Sequence, residues 1–227
     1  MSGRRVGAAF AASVALAAIG AATAAAVTPP PGTPDLAAMA LAPGDLAPGA
    51  VAGQQGYVRP TAGFVAQYDG GFTTASTADG ASYYSIGDYI SVASDNATVE
   101  RFFTAERAFF LSPQAHRLLD NVIIAAAGRK AHLSAREIRY RSGGTLDVGT
   151  SSFIESIGLR AGRVRVHEDV VLLAQDNVYV LLIMTADPGI GIPRADAGAL
   201  ATAIDNHVNS VLATGATGST GTTGSSG

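Results

Sequence analysis

The sequence predicts an α+β protein in which an antiparallel sheet packs against two or three helices. Two extended runs, 64–74 and 83–93, follow one another across a turn. The run from Tyr179 to Met184 is apolar without a break, and the segment after Pro193 repeats apolar residues at helical spacing. A strand that is apolar throughout needs cover on both of its faces, and helices are expected to supply part of it.

Strands account for most of the predicted domain. We expect them at 51–58, 64–74, 83–93, 137–141, 153–159, 163–173 and 178–186. Gly70 and Gly71 predict a bulge or bend within the second run, because glycine interrupts regular strand packing. The last two runs are separated only by turn residues, so they should form a hairpin.

Three helices are predicted from caps and apolar spacing. Asp95 or Asn96 can cap the first, whose Val99, Phe102 and Phe103 recur on one face together with Phe109 or Phe110. Ser112 followed by Pro113 is typical of the start of a second helix. The third extends over about 194–212 and places Ala197, Leu200, Ile204, Val208 and Val211 on one side.

The two ends of the chain differ in composition from the middle. Arg4 and Arg5 precede an uncharged apolar run that ends in small residues near Ala26, which predicts a signal peptide over 1–26; an uncleaved membrane anchor is the alternative. Residues 27–35 form a Pro-rich linker and 36–213 one α+β domain. Residues 214–227 contain only Thr, Gly, Ser and one Ala, which indicates a disordered tail or a glycosylated stalk.

Cysteine is absent, so structural disulfides, thiol catalysis and an acylated lipobox are all excluded. The domain must be stabilised by its own core. The formal net charge is −3, yet residues 129–165 contain eight basic and three acidic side chains. An exported chain of net acidic charge is a poor candidate for binding nucleic acid.

The order of elements resembles a family. Several features together look like exported actinobacterial proteins of uncharacterised function. They are the Met39 to Leu41 and Gly44 to Gly49 segments, the strand with Gln67, Tyr68 and Phe72, the turn from Leu146 to Gly149, the strong hairpin and the final Ala-rich helix. The resemblance implies a fold similar to the PsbP-like α/β sandwich of secreted mycobacterial lipoproteins. It implies no catalytic residues.

Several kinds of chemistry lack the residues they need. The chain has no G-x-S-x-G nucleophile turn, and its four histidines are far apart and belong to no H-E-x-x-H motif. We therefore predict no metal site and no cofactor. His167, Glu168 and Asp169 are interpreted as solvated strand residues, and His207 as a boundary residue beside the apolar stripe of the last helix.

The basic segment suggests a binding surface, here named the arginine face: Arg139, Arg141, Arg163, Arg165 and His167. Side chains along a strand alternate between its two faces, so Arg139 and Arg141 point to the same face of their strand. For the same reason Arg163, Arg165 and His167 point to the same face of theirs. If the strands are neighbours, all five share one face and can bind an anionic group. The alternative is an ordinary solvated surface offset by Glu137 and Glu168.

These observations predict a secreted, non-enzymatic binding or interaction domain at the cell envelope. Its expected partners are an anionic envelope polymer, a lipid headgroup or another exported protein, with no nucleic acid and no membrane span after cleavage. The alternative is a hydrolase that acts on an envelope polymer with carboxylates such as Asp147 or Glu155.

Overall fold

A single antiparallel sheet forms the centre of the domain. The computed structural model describes residues 27–46, 50–73, 83–127, 134–161, 164–186 and 194–217; the predicted signal peptide, Arg163 and the last ten residues lie outside this range. The described strands are β1 (Val51–Ala52), β2 (Gly56–Val58), β3 (Phe64–Thr73), β4 (Tyr83–Ala93), β5 (Ile138–Gly144), β6 (Ser151–Ala161), β7 (Val164–Gln175) and β8 (Val178–Ala186). Their order is β1-β3-β4-β8-β7-β6-β5, and β2 also pairs with β3.

Four α-helices within the described residues pack on this sheet, so the predicted α+β class is confirmed. They are α1 (Leu36–Met39), α2 (Asn96–Phe110), α3 (Pro113–Ala127) and α4 (Arg194–Thr217). The Asp95 carboxylate accepts a hydrogen bond from the Thr98 amide at 2.7 Å and caps α2. The Ser112 hydroxyl accepts one from the Ala115 amide at 3.0 Å and caps α3, as its position before Pro113 predicts.

Helices cover both faces of the sheet. On β7, Val171 and Leu173 point to one face, and Val170 and Leu172 point to the other. The first face packs against α1 and α4, and the second packs against α2 and α3. The two apolar layers explain why β8 is apolar from Val178 to Met184, because its successive residues alternate between them.

A buried carboxylate attaches the N-terminal segment to the first face. Asp88 of β4 is fully buried, and its Oδ2 accepts a hydrogen bond of 2.7 Å from the Leu41 amide. Burial raises the pKa of Asp88 to about 6, against the lowering effect of that hydrogen bond. His207 of α4 is half-buried beside the apolar side of the helix, as predicted, with its Nδ1 2.9 Å from the Ala40 carbonyl oxygen.

Gly70 and Gly71 lie in a regular part of β3, so the prediction of a bulge there is wrong. Gly70 pairs with Asp88 and Gly71 pairs with Gly87 without a register shift, whereas the irregularity of this strand pair lies between Phe64 and Ala66. Glycine is needed at position 70 for space: a Cβ there would lie 2.1 Å from Oδ1 of Asp88.

The last helix is longer than its apolar pattern indicates. It continues to Thr217, four residues into the segment that composition assigns to the tail. The Thr214 hydroxyl contacts the carbonyl oxygens of Ser210 and Val211 at 3.2 and 2.9 Å. None of the helices in the described ranges combines the length and the apolar character needed to cross a membrane.

Candidate functional site

A pocket of about 540 Å³ opens between the second face of the sheet and the hairpin formed by α2 and α3. We name it the hairpin pocket. Its size falls within the range of small-molecule sites in proteins. The described residues that line it are Thr61, Phe64, Gln67, Tyr89, Ser91, Phe102, Glu106, Phe109, Phe110, Leu118, Leu119, Val170, Tyr179, Leu181 and Ile183.

Aromatic rings form much of the pocket wall. The chain has eight Phe and seven Tyr residues, and six of these fifteen aromatic residues line this one pocket, which concentrates them there. The ring centroids of Phe64 and Phe102 are 4.9 Å apart, and those of Phe102 and Tyr179 are 5.1 Å apart, both in edge-to-face arrangements. Such contacts hold the rings in defined orientations.

Glu106 is the acidic residue of the described lining. It follows Phe102 by four positions and precedes Phe109 by three, so α2 presents it on the same side as these rings. Its Oε2 accepts a hydrogen bond from the Tyr179 hydroxyl. Burial raises the pKa of Glu106, and the bond from Tyr179 partly opposes the rise. The pKa of Tyr179 is raised, mainly by burial and also by the nearby Glu106. The Tyr179 hydroxyl therefore remains protonated and acts as a donor at neutral pH.

The mouth of the pocket is apolar. Phe109 is 43% exposed and Leu118 is 48% exposed, although both line the pocket. Leu111, in the turn between α2 and α3, is 44% exposed. Clusters of large apolar side chains are rare on the surface of a soluble domain, because their exposure to water is unfavourable. Where such a cluster occurs, it often marks a binding site.

A second group of polar residues lies under α3, on the same face of the sheet. We name it the acid cluster: His116, Asp120, Tyr140, Glu155 and Glu168. Nε2 of His116 lies 3.1 Å from Oε1 of Glu155, and the His116 ring stacks on the Tyr140 ring with centroids 4.0 Å apart. The Tyr140 hydroxyl donates to Oδ1 of Asp120 at 2.8 Å. Burial raises the pKa of both Glu155 and Tyr140.

Glu168 is a second deeply buried acid of this cluster, beside Glu155. Its side chain is 4% exposed, and the Thr185 hydroxyl lies 3.4 Å from its Oε2. Its Oε1 is buried and has no hydrogen-bond partner among the described residues. Burial raises the pKa of Glu168 to about 8, so the folded protein keeps this carboxyl largely protonated at neutral pH.

The interpretation of Glu168 and Asp169 as solvated residues is therefore wrong. Asp169 is 1% exposed on the first face, where its Oδ1 lies 3.1 Å from Nε2 of His167. The two carboxyls point to opposite faces, as strand geometry requires, but helices and neighbouring strands cover both positions. Glu168 also cannot offset the arginine face, because it points to the other side of the sheet.

The arginine face is distributed over strands that do not touch. β6 separates β5 from β7, but the register places Arg139, Gly158 and His167 in one row across the three strands. Residues in such a row share a face of the sheet. Arg139 and His167 therefore lie on the same face even though β6 separates their strands. Arg139 and Arg141 are exposed; the side chain of Arg165 and all of Arg163 lie outside the described residues.

The two carboxylates considered for a hydrolase are in different surroundings. Asp147 is exposed in the connection between β5 and β6, whereas Glu155 is buried in the acid cluster. Neither is among the described residues that line the hairpin pocket. The described residues also contain no group of three His, Cys, Asp or Glu side chains placed to hold a metal ion.

The fold and pocket define an α+β domain with a cavity between its sheet and the α2–α3 hairpin. No family model and no curated protein matches the chain. The extracellular domain of PknH from Mycobacterium tuberculosis is similar in structure, with 11% sequence identity, a TM-score of 0.48, and coverage of 77% of this chain and 94% of that one. At this level of similarity the likeness carries no information about the activity of this chain.

Proposed function

We propose that this protein is a non-enzymatic binding domain that holds a small molecule with an apolar body in the hairpin pocket. The observation that carries the proposal is a cavity of about 540 Å³ with a mainly aromatic and aliphatic lining. Burial of such a molecule removes apolar surface from water on both sides of the contact, which favours binding by roughly 25 cal/mol for each Å².

The geometry favours binding over hydrolysis. A glycosidase needs two carboxyl groups that face each other across the substrate. The described lining offers one carboxyl, that of Glu106, and it is engaged by Tyr179. The polar groups Thr61, Gln67 and Ser91 lie at the sheet side of the pocket, where they can orient a ligand by hydrogen bonds.

We place this activity outside the cytoplasm. The support comes from the N-terminal sequence, in which a basic start, an uncharged apolar run and small residues near Ala26 match a signal peptide. The absence of cysteine accords with a domain that depends on its two apolar layers for stability. The envelope is accordingly the proposed source of the ligand.

Filling the pocket is expected to weaken binding without unfolding the protein. Leu181 lies half-buried on β8 and faces the cavity. In Leu181→Trp the indole should occupy the ligand space, and affinity for an apolar fluorescent dye such as N-phenylnaphthylamine should fall at least about tenfold, equivalent to about 1.4 kcal/mol. Dye titration measures this, and circular dichroism reports whether the fold is retained.

Val51→Trp is the matched control, because Val51 is 63% exposed on β1 and does not line the pocket. It should bind the dye as the wild type does. Equal affinity of the wild type and a folded Leu181→Trp variant would show that the dye binds elsewhere, which would contradict the proposed function.

A second candidate function is contact with an anionic envelope polymer through the arginine face. It is favoured by the common row of Arg139 and His167 and by the exposure of Arg139 and Arg141. Replacement of Arg139, Arg141, Arg163 and Arg165 by Ala should abolish salt-sensitive retention on anionic cell-wall material. Retention that is unchanged in this variant would refute the contact, and dye binding in the pocket serves as the control for folding.

A further inference from the structure

The hairpin pocket has the side chains that recognise an organic cation. Cations are attracted to the faces of aromatic rings, and aromatic enclosures are a common way to bind ammonium groups. Phe64, Tyr89, Phe102 and Tyr179 contribute rings to the lining. The centroids of Phe64 and Tyr179 are 6.0 Å apart with their planes tilted by 36°, so these two rings and Phe102 form one continuous aromatic group.

The Glu106 carboxylate lies beside this aromatic group. Tyr179 belongs to the group and donates its hydroxyl hydrogen to Oε2 of Glu106, which places the carboxylate at the edge of the rings. The described residues provide no hydrogen bond to Oε1, which keeps its lone pairs for a donor on a ligand. An ammonium group that reaches this point meets both a negative charge and aromatic faces.

No protein cation competes for the position in the described part of the chain. None of the described lining residues is Lys, Arg or His. The ion pairs found between described residues use His116, His167 and His207, and none of them involves Glu106.

From this arrangement we infer that the hairpin pocket selects molecules in which a positively charged ammonium group is attached to an apolar body. The inference rests on the proposed function and adds the charge of the ligand to it. An anionic amphiphile such as a fatty acid is disfavoured, because its carboxylate would meet Glu106 in a site of low dielectric with no basic partner in the described lining.

Three amphiphiles with the same alkyl chain test the inference: dodecyltrimethylammonium, dodecanol and dodecanoate. Each competes with bound N-phenylnaphthylamine on the full chain at about pH 8, below its critical micelle concentration. We expect the ammonium compound to bind at least about tenfold more tightly than the alcohol, and the carboxylate at least about tenfold more weakly.

The variant Glu106→Gln separates charge from shape. Glutamine keeps the volume and an acceptor for Tyr179 but removes the negative charge, so the ammonium compound should lose most of its advantage over the alcohol while the affinity for the alcohol is retained. Glu100→Gln, on the same helix but outside the described lining, should keep the wild-type preference.

The outcomes distinguish the two levels of the proposal. If dodecanol and the dye bind but dodecanoate binds as tightly as the ammonium compound, or if Glu106→Gln keeps the full preference, the charge selection is refuted and the apolar pocket stands. If neither the dye nor any of the three amphiphiles binds, the proposed function itself is refuted.

Discussion

Replacement of Gly70 by Ala should lower the free energy of unfolding by about 3 kcal/mol, a large effect for the addition of one methyl group. The new Cβ would lie 2.1 Å from Oδ1 of Asp88, which is buried at the centre of the first face. The carboxylate must move, and its hydrogen bond with the Leu41 amide is then lost or distorted. Urea denaturation of the wild type and variant measures the difference.

Gly71→Ala is the matched control for this prediction. A Cβ at Gly71 would be 3.4 Å from the Ile86 carbonyl oxygen, an ordinary contact, so this variant should be close to the wild type or slightly more stable, because alanine loses less backbone entropy than glycine. Equal destabilisation by the two substitutions would show that the Asp88 contact is not the cause.

A double-mutant cycle identifies the contact directly. Asp88→Ala alone should destabilise the protein, because the Leu41 amide loses its buried acceptor. Once Asp88 is truncated, Gly70→Ala should cost little more, so the two effects should be strongly non-additive. Additive effects would mean that Gly70 is required for a different reason.

Glu168→Gln should remove most of a pH dependence of stability. The pKa of Glu168 is about 8 in the folded state and close to 4.5 when unfolded, so between these values the folded protein holds a proton that the unfolded chain has lost. Stability must therefore fall as pH rises from about 5 to about 8, by on the order of 3 kcal/mol from this group. Glutamine cannot ionise, so the variant should gain stability relative to the wild type over this range.

Denaturation curves of both proteins at a series of pH values measure the effect. The difference between variant and wild type should be smallest near pH 5 and largest near pH 8. Asp147→Asn is the control, because Asp147 is exposed and should leave the wild-type slope unchanged. A constant difference between Glu168→Gln and wild type at every pH would contradict the assignment of a buried, protonated carboxyl.

Local patterns in the sequence predict most of the secondary structure. The strand at 178–186 and the caps Asp95 and Ser112 agree with the structure because each depends on residues within a few positions. The bulge predicted at Gly70 is wrong because this glycine instead leaves space for Asp88 on the neighbouring strand. Local sequence contains no information on that neighbour.

The burial of these acids does have a signal in the sequence. Glu155 shares its strand phase with Phe153 and Ile157, and Glu168 shares its phase with Val170 and Leu172, so both follow the pattern of core residues. Glu106 likewise falls within the apolar side of α2. An acid in phase with core residues is commonly taken to lie at the edge of the apolar side. Whether it is buried depends on whether an element distant in the sequence covers it.

The hairpin pocket itself is not predictable from local pattern. Its wall joins Phe64 of β3, Phe102 of α2 and Tyr179 of β8, and strands β4 and β8 become neighbours across more than eighty intervening residues. The position of the α2–α3 hairpin over the sheet decides whether this apolar surface is filled or open. That position depends on tertiary packing.

The most direct test of the central claim, that the hairpin pocket holds an apolar ligand, is a set of intermolecular nuclear Overhauser effects between bound N-phenylnaphthylamine and the protein. Binding in the pocket predicts contacts from the dye protons to Phe102, Leu119, Leu181 and Tyr179. Contacts only to residues of the other apolar layer, such as Leu200 and Ile204 of α4, or no contacts at all with a dye that binds, would contradict the claim.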